Sequence, residues 1–122
     1  AVKKMIPLKK GRIINFTSVA VPLGLEGEAI YASSKSAIES FSEVISKEIA
    51  VYGITSNCIG PNPIDTALIK NVPKKKIQEL LERQAFKRLG KFEDIANIVD
   101  FYLNEKSSFI TGQKIYLGGI HS

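Results

Sequence analysis

A single cysteine, Cys58, is too little for an internal disulfide, so a reduced, cytoplasmic setting is the expectation. No apolar run comes near the roughly 20 residues that a membrane-spanning helix needs. The opening residues, Ala1-Val2-Lys3-Lys4-Met5-Ile6-Pro7, hold no long apolar stretch and no small-residue cleavage site, and so do not read as a secretory signal. Internal repeats and low-complexity segments are missing too. So is the glycine-rich turn after a first strand with which doubly wound folds seat a pyrophosphate, and the first residue is not methionine. The one histidine, His121, has no partner motif, which argues against a metal site or a histidine nucleophile there.

What is present suits one small folded domain. Hydrophobic residues make up 44% of the 122, enough for a core, and 24% are charged, which speaks against both disorder and a membrane protein. The net charge of +5 draws on Lys3, Lys4, Lys9, Lys10 and Arg12, and on Lys74, Lys75 and Lys76. No aromatics are interleaved with these clusters and no nucleic-acid module accompanies them, so solvated lysines are favoured over a phosphate-binding surface, with no nucleic-acid or membrane partner. Cys58 reads as a small core residue.

Hydrophobic periodicity alternates between strand and helix. Arg12 to Phe16 reads as a short buried strand, and Tyr31 to Tyr52 as a long helix. The apolar residues of that helix, Ala37, Ile38, Phe41, Val44, Ile45 and Ile49, suggest a broad buried stripe, with Glu43–Lys47 as an outer ion pair and Gly53 as a left-handed stop. Ile54 to Ile59 is a second strand, broken by Gly60-Pro61-Asn62-Pro63. Ile64 to Lys70 and Lys74 to Arg83 suggest two short helices. Phe92 to Asn104 is another, with Ile95, Ile98, Val99 and Tyr102 on one face, and Gln113 to Leu117 is a last strand. The order predicts an α/β fold, the C-terminal portion of a Rossmann-like doubly wound sheet, with about three parallel strands, right-handed crossovers and helices on both faces. Three strands are few for such a fold. The expectation is a single partial domain over residues 1–122, with an N-terminal dinucleotide-binding half lying outside this sequence.

The residues that suggest chemistry are Ser18, Tyr31 and Lys35. Ser18 follows a strand, at the carboxyl edge where open α/β sheets place their sites. Tyr31 and Lys35 are one turn apart on the next helix and share a face. An ammonium beside a phenol favours the phenolate, lowering a pKa that starts near 10. Such a tyrosine can pass a proton to a carbonyl oxygen as hydride arrives, or take it back from an alcohol. A serine hydroxyl would steady the same oxygen. Tyr-x-x-x-Lys alone is not specific: Tyr102 and Lys106 repeat it, but Leu89 stands where the serine would be. That copy reads as a core tyrosine followed by a helix-end lysine.

Taken together, several segments carry a resemblance to the short-chain dehydrogenase/reductase family. Gly11-Arg12-Ile13-Ile14-Asn15-Phe16-Thr17-Ser18 is similar to the strand that leads to the family's active-site serine, and Tyr31-Ala32-Ser33-Ser34-Lys35 to its Tyr-x-x-x-Lys helix. Asn57-Cys58-Ile59-Gly60-Pro61-Asn62-Pro63-Ile64-Asp65-Thr66 resembles the strand and loop that cover the nicotinamide. Arg88-Leu89-Gly90, Glu93-Asp94-Ile95-Ala96, Phe109-Ile110-Thr111-Gly112-Gln113 and Leu117-Gly118-Gly119 are especially like 3-oxoacyl-carrier-protein reductases and their relatives.

The resemblance implies an NAD- or NADP-dependent oxidoreductase that reduces a carbonyl or oxidises an alcohol, with a 3-oxoacyl thioester as one candidate substrate. It implies Tyr31 as proton donor or acceptor, Lys35 on the nicotinamide ribose, and Ser18 orienting the substrate carbonyl. The backbone of Ile64 and the side chain of Thr66 would meet the carboxamide, and Pro61 would shape the turn. Asn62 stands where the family usually has glycine; asparagine tolerates left-handed backbone, which would let the turn survive. Residues Asp65 to Arg83 would form a mobile substrate lid, whose Leu68, Ile69, Leu80 and Leu81 suit either apolar substrate contact or core packing. The helix from 31 to 52 would pair with a second copy, and the strand at Arg12–Phe16 would present an unpaired edge. A non-catalytic remnant, acting as a helix-mediated interaction module, is the alternative reading.

Overall fold

A computed structural model describes residues 1–121. Three strands, β1 (Gly11–Phe16), β2 (Ile54–Gly60) and β3 (Lys114–Tyr116), form one sheet in the order β1-β2-β3. Both pairings are parallel, with Gly11 opposite Ile54 and Phe16 opposite Ile59 on one side of β2, and Cys58 opposite Lys114 on the other. Every residue of β2 is buried, as a central strand covered on both faces requires.

The helices are α1 (Val2–Met5), α2 (Ala20–Leu23), α3 (Ala29–Ile49), α4 (Lys74–Glu82) and α5 (Phe92–Leu103). Side chains of β2 alternate between two helical layers. Ser56 meets Ser42 of α3, hydroxyl to hydroxyl at 2.8 Å, whereas Ile59 packs with Ile98 and Tyr102 of α5. The expected face of α5 is therefore the one that packs. Helix α3 starts two residues earlier than its periodicity suggests and ends at Ile49; a 3-10 turn (Ala50–Tyr52) then leads into Gly53, left-handed at φ 71°. A Cβ on Gly53 would lie 2.4 Å from the Lys9 carbonyl oxygen, so backbone crowding as well as φ demands glycine there.

The expected buried stripe on α3 is only partly realised. Glu39, Ser42, Ser46 and Ile49 turn inward, while Phe41 is 58% and Val44 54% exposed. Small serines let the helix lie close on the strands, and the large apolar side chains are left facing away from the sheet. The outer Glu43–Lys47 pair is not among the ion pairs of the described residues; Ser46 instead donates to the Glu43 carbonyl at 2.7 Å. Between β2 and α5, the first short helix is a 3-10 segment at Ala67–Asn71 rather than one beginning at Ile64. Ile64 is drawn instead into a parallel bridge with Gly90, where the Asp65 N–H donates to the Gly90 carbonyl at 2.9 Å.

Candidate active site

The carboxyl ends of β1 and β2 stay stitched together past the last ladder residues. Thr17 N–H donates to the Ile59 carbonyl (2.8 Å) and Val19 N–H to the Pro61 carbonyl (3.2 Å). This puts Ser18 beside the Pro61–Asn62 loop. The Ser18 Oγ accepts from the Ala20 N–H at 3.1 Å, which leaves its own proton free to be donated.

Ser18 and Tyr31 line one cleft of about 550 Å³, with Pro61 and Asn62 on the strand side and Ile69 and Leu80 from the segment above it. Its walls are mostly apolar, and it is the size of a small-molecule site. Tyr31 is half exposed, 46%, so its ring reaches solvent. Lys35 lies behind: its Nζ donates to the Phe16 carbonyl at 3.2 Å and stands 5.8 Å from the centre of the Tyr31 ring. One of three ammonium donors is thereby used and two are left. Ile64 and Thr66 do not line this cleft. Among the leucines and isoleucines of the expected lid, Ile69, Ile77 and Leu80 reach it, whereas Leu68 is exposed.

Lys76 belongs to the run expected to be solvated, yet it lines the cleft and pairs with Glu28 at 3.5 Å. Asn62 needs no left-handed backbone: among the described residues the one non-glycine with positive φ is Lys9. Its side chain is buried and donates to Gln84 at 3.0 Å.

Glu39 escapes sequence reasoning. It sits one turn beyond Lys35, is 7% exposed, and accepts from Thr17 Oγ1 at 2.6 Å and from the Tyr116 hydroxyl. Lys114 lies 3.5 Å from its other oxygen. A buried carboxylate is tolerable only with such partners, and these tie the residue before Ser18 to the helix that carries Lys35. The signal in the sequence is an acidic residue on the same stripe as Ser42 and Ser46. Burial, with the Glu39 hydrogen bond behind it, pushes the Tyr116 phenol up, and burial does the same to the Cys58 thiol. The second Tyr-x-x-x-Lys copy is built differently: Tyr102 is 1% exposed and donates to the Cys58 carbonyl at 3.0 Å, while Lys106 lies past the end of α5. Arg88 grips Asp94 with its two terminal guanidinium nitrogens at 3.0 and 3.3 Å, a clasp on the first turn of α5 that joins the Arg88-Leu89-Gly90 and Glu93-Asp94 segments.

The family profile described as enoyl-(acyl carrier protein) reductase matches residues 1–121. The chain is 39% identical over 118 residues to the 3-oxoacyl-(acyl-carrier-protein) reductase of Buchnera aphidicola, covering 97% of this chain and 48% of that one. It is 38% identical over 115 residues to a hydroxy(phenyl)methylsuccinyl-CoA dehydrogenase subunit of Thauera aromatica, covering 94% and 46%. Among solved structures, the 3-oxoacyl-(acyl-carrier protein) reductase of Brucella melitensis superposes with a TM-score of 0.86 at 27% identity, covering 98% of this chain and 46% of that one. The chain thus spans about half the length of the curated relatives it matches. Among the described residues, no helix is long and apolar enough to cross a membrane.

Proposed function

The chain belongs to the short-chain dehydrogenase/reductase family, and from that premise we propose that it carries the proton-transfer half of an NAD- or NADP-dependent oxidoreductase acting on a carbonyl or its alcohol. The observation that carries this reading is the convergence of Ser18 and Tyr31 on one largely apolar cleft, with Lys35 one turn behind. When bound, the nicotinamide nucleotide supplies or accepts the hydride.

Tyr31 gives its hydroxyl proton to the carbonyl oxygen in reduction and takes it back in oxidation. Ser18 donates a hydrogen bond to the same oxygen and holds it in place. The Lys35 ammonium offsets the negative charge left on the phenol oxygen, and its spare donors suit ribose hydroxyls. The Ile64 backbone and Thr66 hydroxyl are proposed to meet the carboxamide. The residues present fit the nicotinamide end of such a nucleotide. For the pyrophosphate the sequence holds no glycine-rich turn, so the proposed site is completed by an accompanying dinucleotide-binding half. A 3-oxoacyl thioester is the proposed substrate, in line with the names of the Buchnera and Brucella relatives.

Titration with NADH and NADPH, followed by nucleotide fluorescence, is the test. Saturable binding is expected for the chain together with its dinucleotide-binding half and not for residues 1–122 alone. No binding in either form would leave the interaction-module reading.

The exposed apolar stripe of α3 supports a second proposal, association of two copies through that helix. Phe41 and Val44 lie one turn apart on it, and both are more than half exposed. Phe41→Glu is expected to shift the sedimenting species towards monomer at unchanged helix content. An unaltered oligomer would reject α3 as the interface.

A further inference from the structure

We propose that Asn62 and Gln84 are positioning residues that close the neck of the lid, so that residues 67–83 move over the cleft without displacing the Pro61–Thr66 loop. The functional meaning of the pair rests on the oxidoreductase reading, but the pair itself does not.

Both side chains are polar and buried, Asn62 at 7% and Gln84 at 2% exposure. Gln84 is held first. Its Nε2 donates to the Phe86 carbonyl at 2.9 Å and the Arg88 carbonyl at 3.1 Å. Carbonyls only accept, so these two bonds fix which end of the amide faces them. The Gln84 Oε1 must then face Asn62, whose Nδ2 donates to it at 3.0 Å. Neither amide can flip without setting like against like. The Asn62 Oδ1 is left on the far side, buried and without a donor among the described residues. It packs so close to Gly90 that a Cβ there would lie 2.6 Å away.

The same two stretches are joined by backbone bonds. Gly90 N–H donates to the Pro63 carbonyl at 2.8 Å, and Asp65 N–H to the Gly90 carbonyl at 2.9 Å. The side-chain bond and these two make a rigid base from which the 3-10 segment and α4 project. Beyond this base, α4 is fastened by the exposed pair of Lys76 with Glu28 at 3.5 Å, while next to Gln84 the Arg83 Nη2 donates to the Leu23 carbonyl at 2.9 Å. An exposed ion pair of this kind holds loosely. A compact loop with joined ends and loosely held outer contacts opens as a flap on a fixed neck. Asn62 supplies the side chain that makes the join.

Hydrogen exchange on the full chain tests this. In Asn62→Leu, which keeps the shape and loses the donor, the Asp65 and Gly90 amides are expected to exchange about tenfold faster, as the loss of one buried hydrogen bond implies. The Cys58 amide, bonded to the Gln113 carbonyl at 2.8 Å within the sheet, keeps its rate. Gln84→Leu should match Asn62→Leu, and the double variant should be no faster than either. Asn62→Gly checks the result where Leu packs poorly. Unchanged rates at Asp65 and Gly90 overturn the proposal. Equal acceleration at Cys58 also overturns it, because the pair would then serve general stability only. In the nucleotide-dependent reaction, a positioning role raises the KM for nucleotide several-fold and leaves kcat near wild type. If wild type shows no turnover, the functional reading fails while the exchange result still decides the neck.

Discussion

Tyr31→Phe is expected to lower turnover about 10²–10⁴-fold, the range that positioned general acids contribute, while nucleotide binding stays largely intact. The substitution keeps the ring in the cleft and removes only the oxygen and its proton. Folding should be little disturbed, since the tyrosine is 46% exposed and away from the core cluster. Ser18 would still donate to the substrate oxygen, so residual activity is expected rather than none. Initial rates of carbonyl reduction, paired with nucleotide fluorescence titration, separate the two quantities. Turnover at the wild-type rate would remove Tyr31 from the proton path; loss of nucleotide binding alongside turnover would make it a binding residue first.

The largest effect on stability is expected at the other Tyr-x-x-x-Lys tyrosine. Tyr102→Ala should cost about 3–5 kcal/mol, as for other large aromatic truncations in cores, a sizeable share of the roughly 5–15 kcal/mol that holds a domain folded. Tyr102 is buried in the cluster it forms with Ile59 and Ile98, against which Val99 and Leu117 pack, and its hydroxyl donates to the Cys58 carbonyl. Urea unfolding measures the loss. Tyr102→Phe should cost only about 1 kcal/mol for the hydrogen bond and also changes the alkaline limb. Burial pushes the Tyr102 phenol up, so the folded chain keeps a proton that the unfolded chain releases near pH 10. That contribution is whole below about pH 10 and is lost as pH rises towards the folded value. Between about pH 9 and 11, Tyr102→Phe should therefore lose stability less steeply than wild type. Tyr116, shifted the same way, remains in both. A Tyr102→Ala chain as stable as wild type would mean that the core lies elsewhere.

The contrast between these two tyrosines shows how much of the site is legible in the amino-acid sequence. Thirteen positions separate Ser18 from Tyr31, and the short helix α2, a turn and the start of α3 suffice to bring both to one cleft with Lys35 behind. The alternation of strand and helix likewise points to three parallel strands, because each apolar run is short and firmly broken. The facing of α3 is less accessible. Two stripes wind around that helix, one apolar and one of small polar residues, and hydrophobicity alone picks the first. The sheet takes the second, since Ser42 and Ser46 allow closer approach than Phe41 and Val44. Contacts made across the chain are invisible for a related reason. Glu39 finds Thr17 and Tyr116, and Asn62 finds Gln84, through the tertiary fold and not through any local spacing. The first short helix starts at Ala67 and not at Ile64 because Ile64 pairs with Gly90, a partner that periodicity cannot name.

The most direct measurement of the central claim is nicotinamide nucleotide oxidation with a 3-oxoacyl thioester, by the chain together with the proposed dinucleotide-binding half. Wild type, Tyr31→Phe and Tyr102→Phe are compared at one pH. The account predicts that wild type and Tyr102→Phe oxidise the nucleotide at similar rates and that Tyr31→Phe falls by orders of magnitude. Equal rates for wild type and Tyr31→Phe, or a collapse confined to Tyr102→Phe, would contradict it.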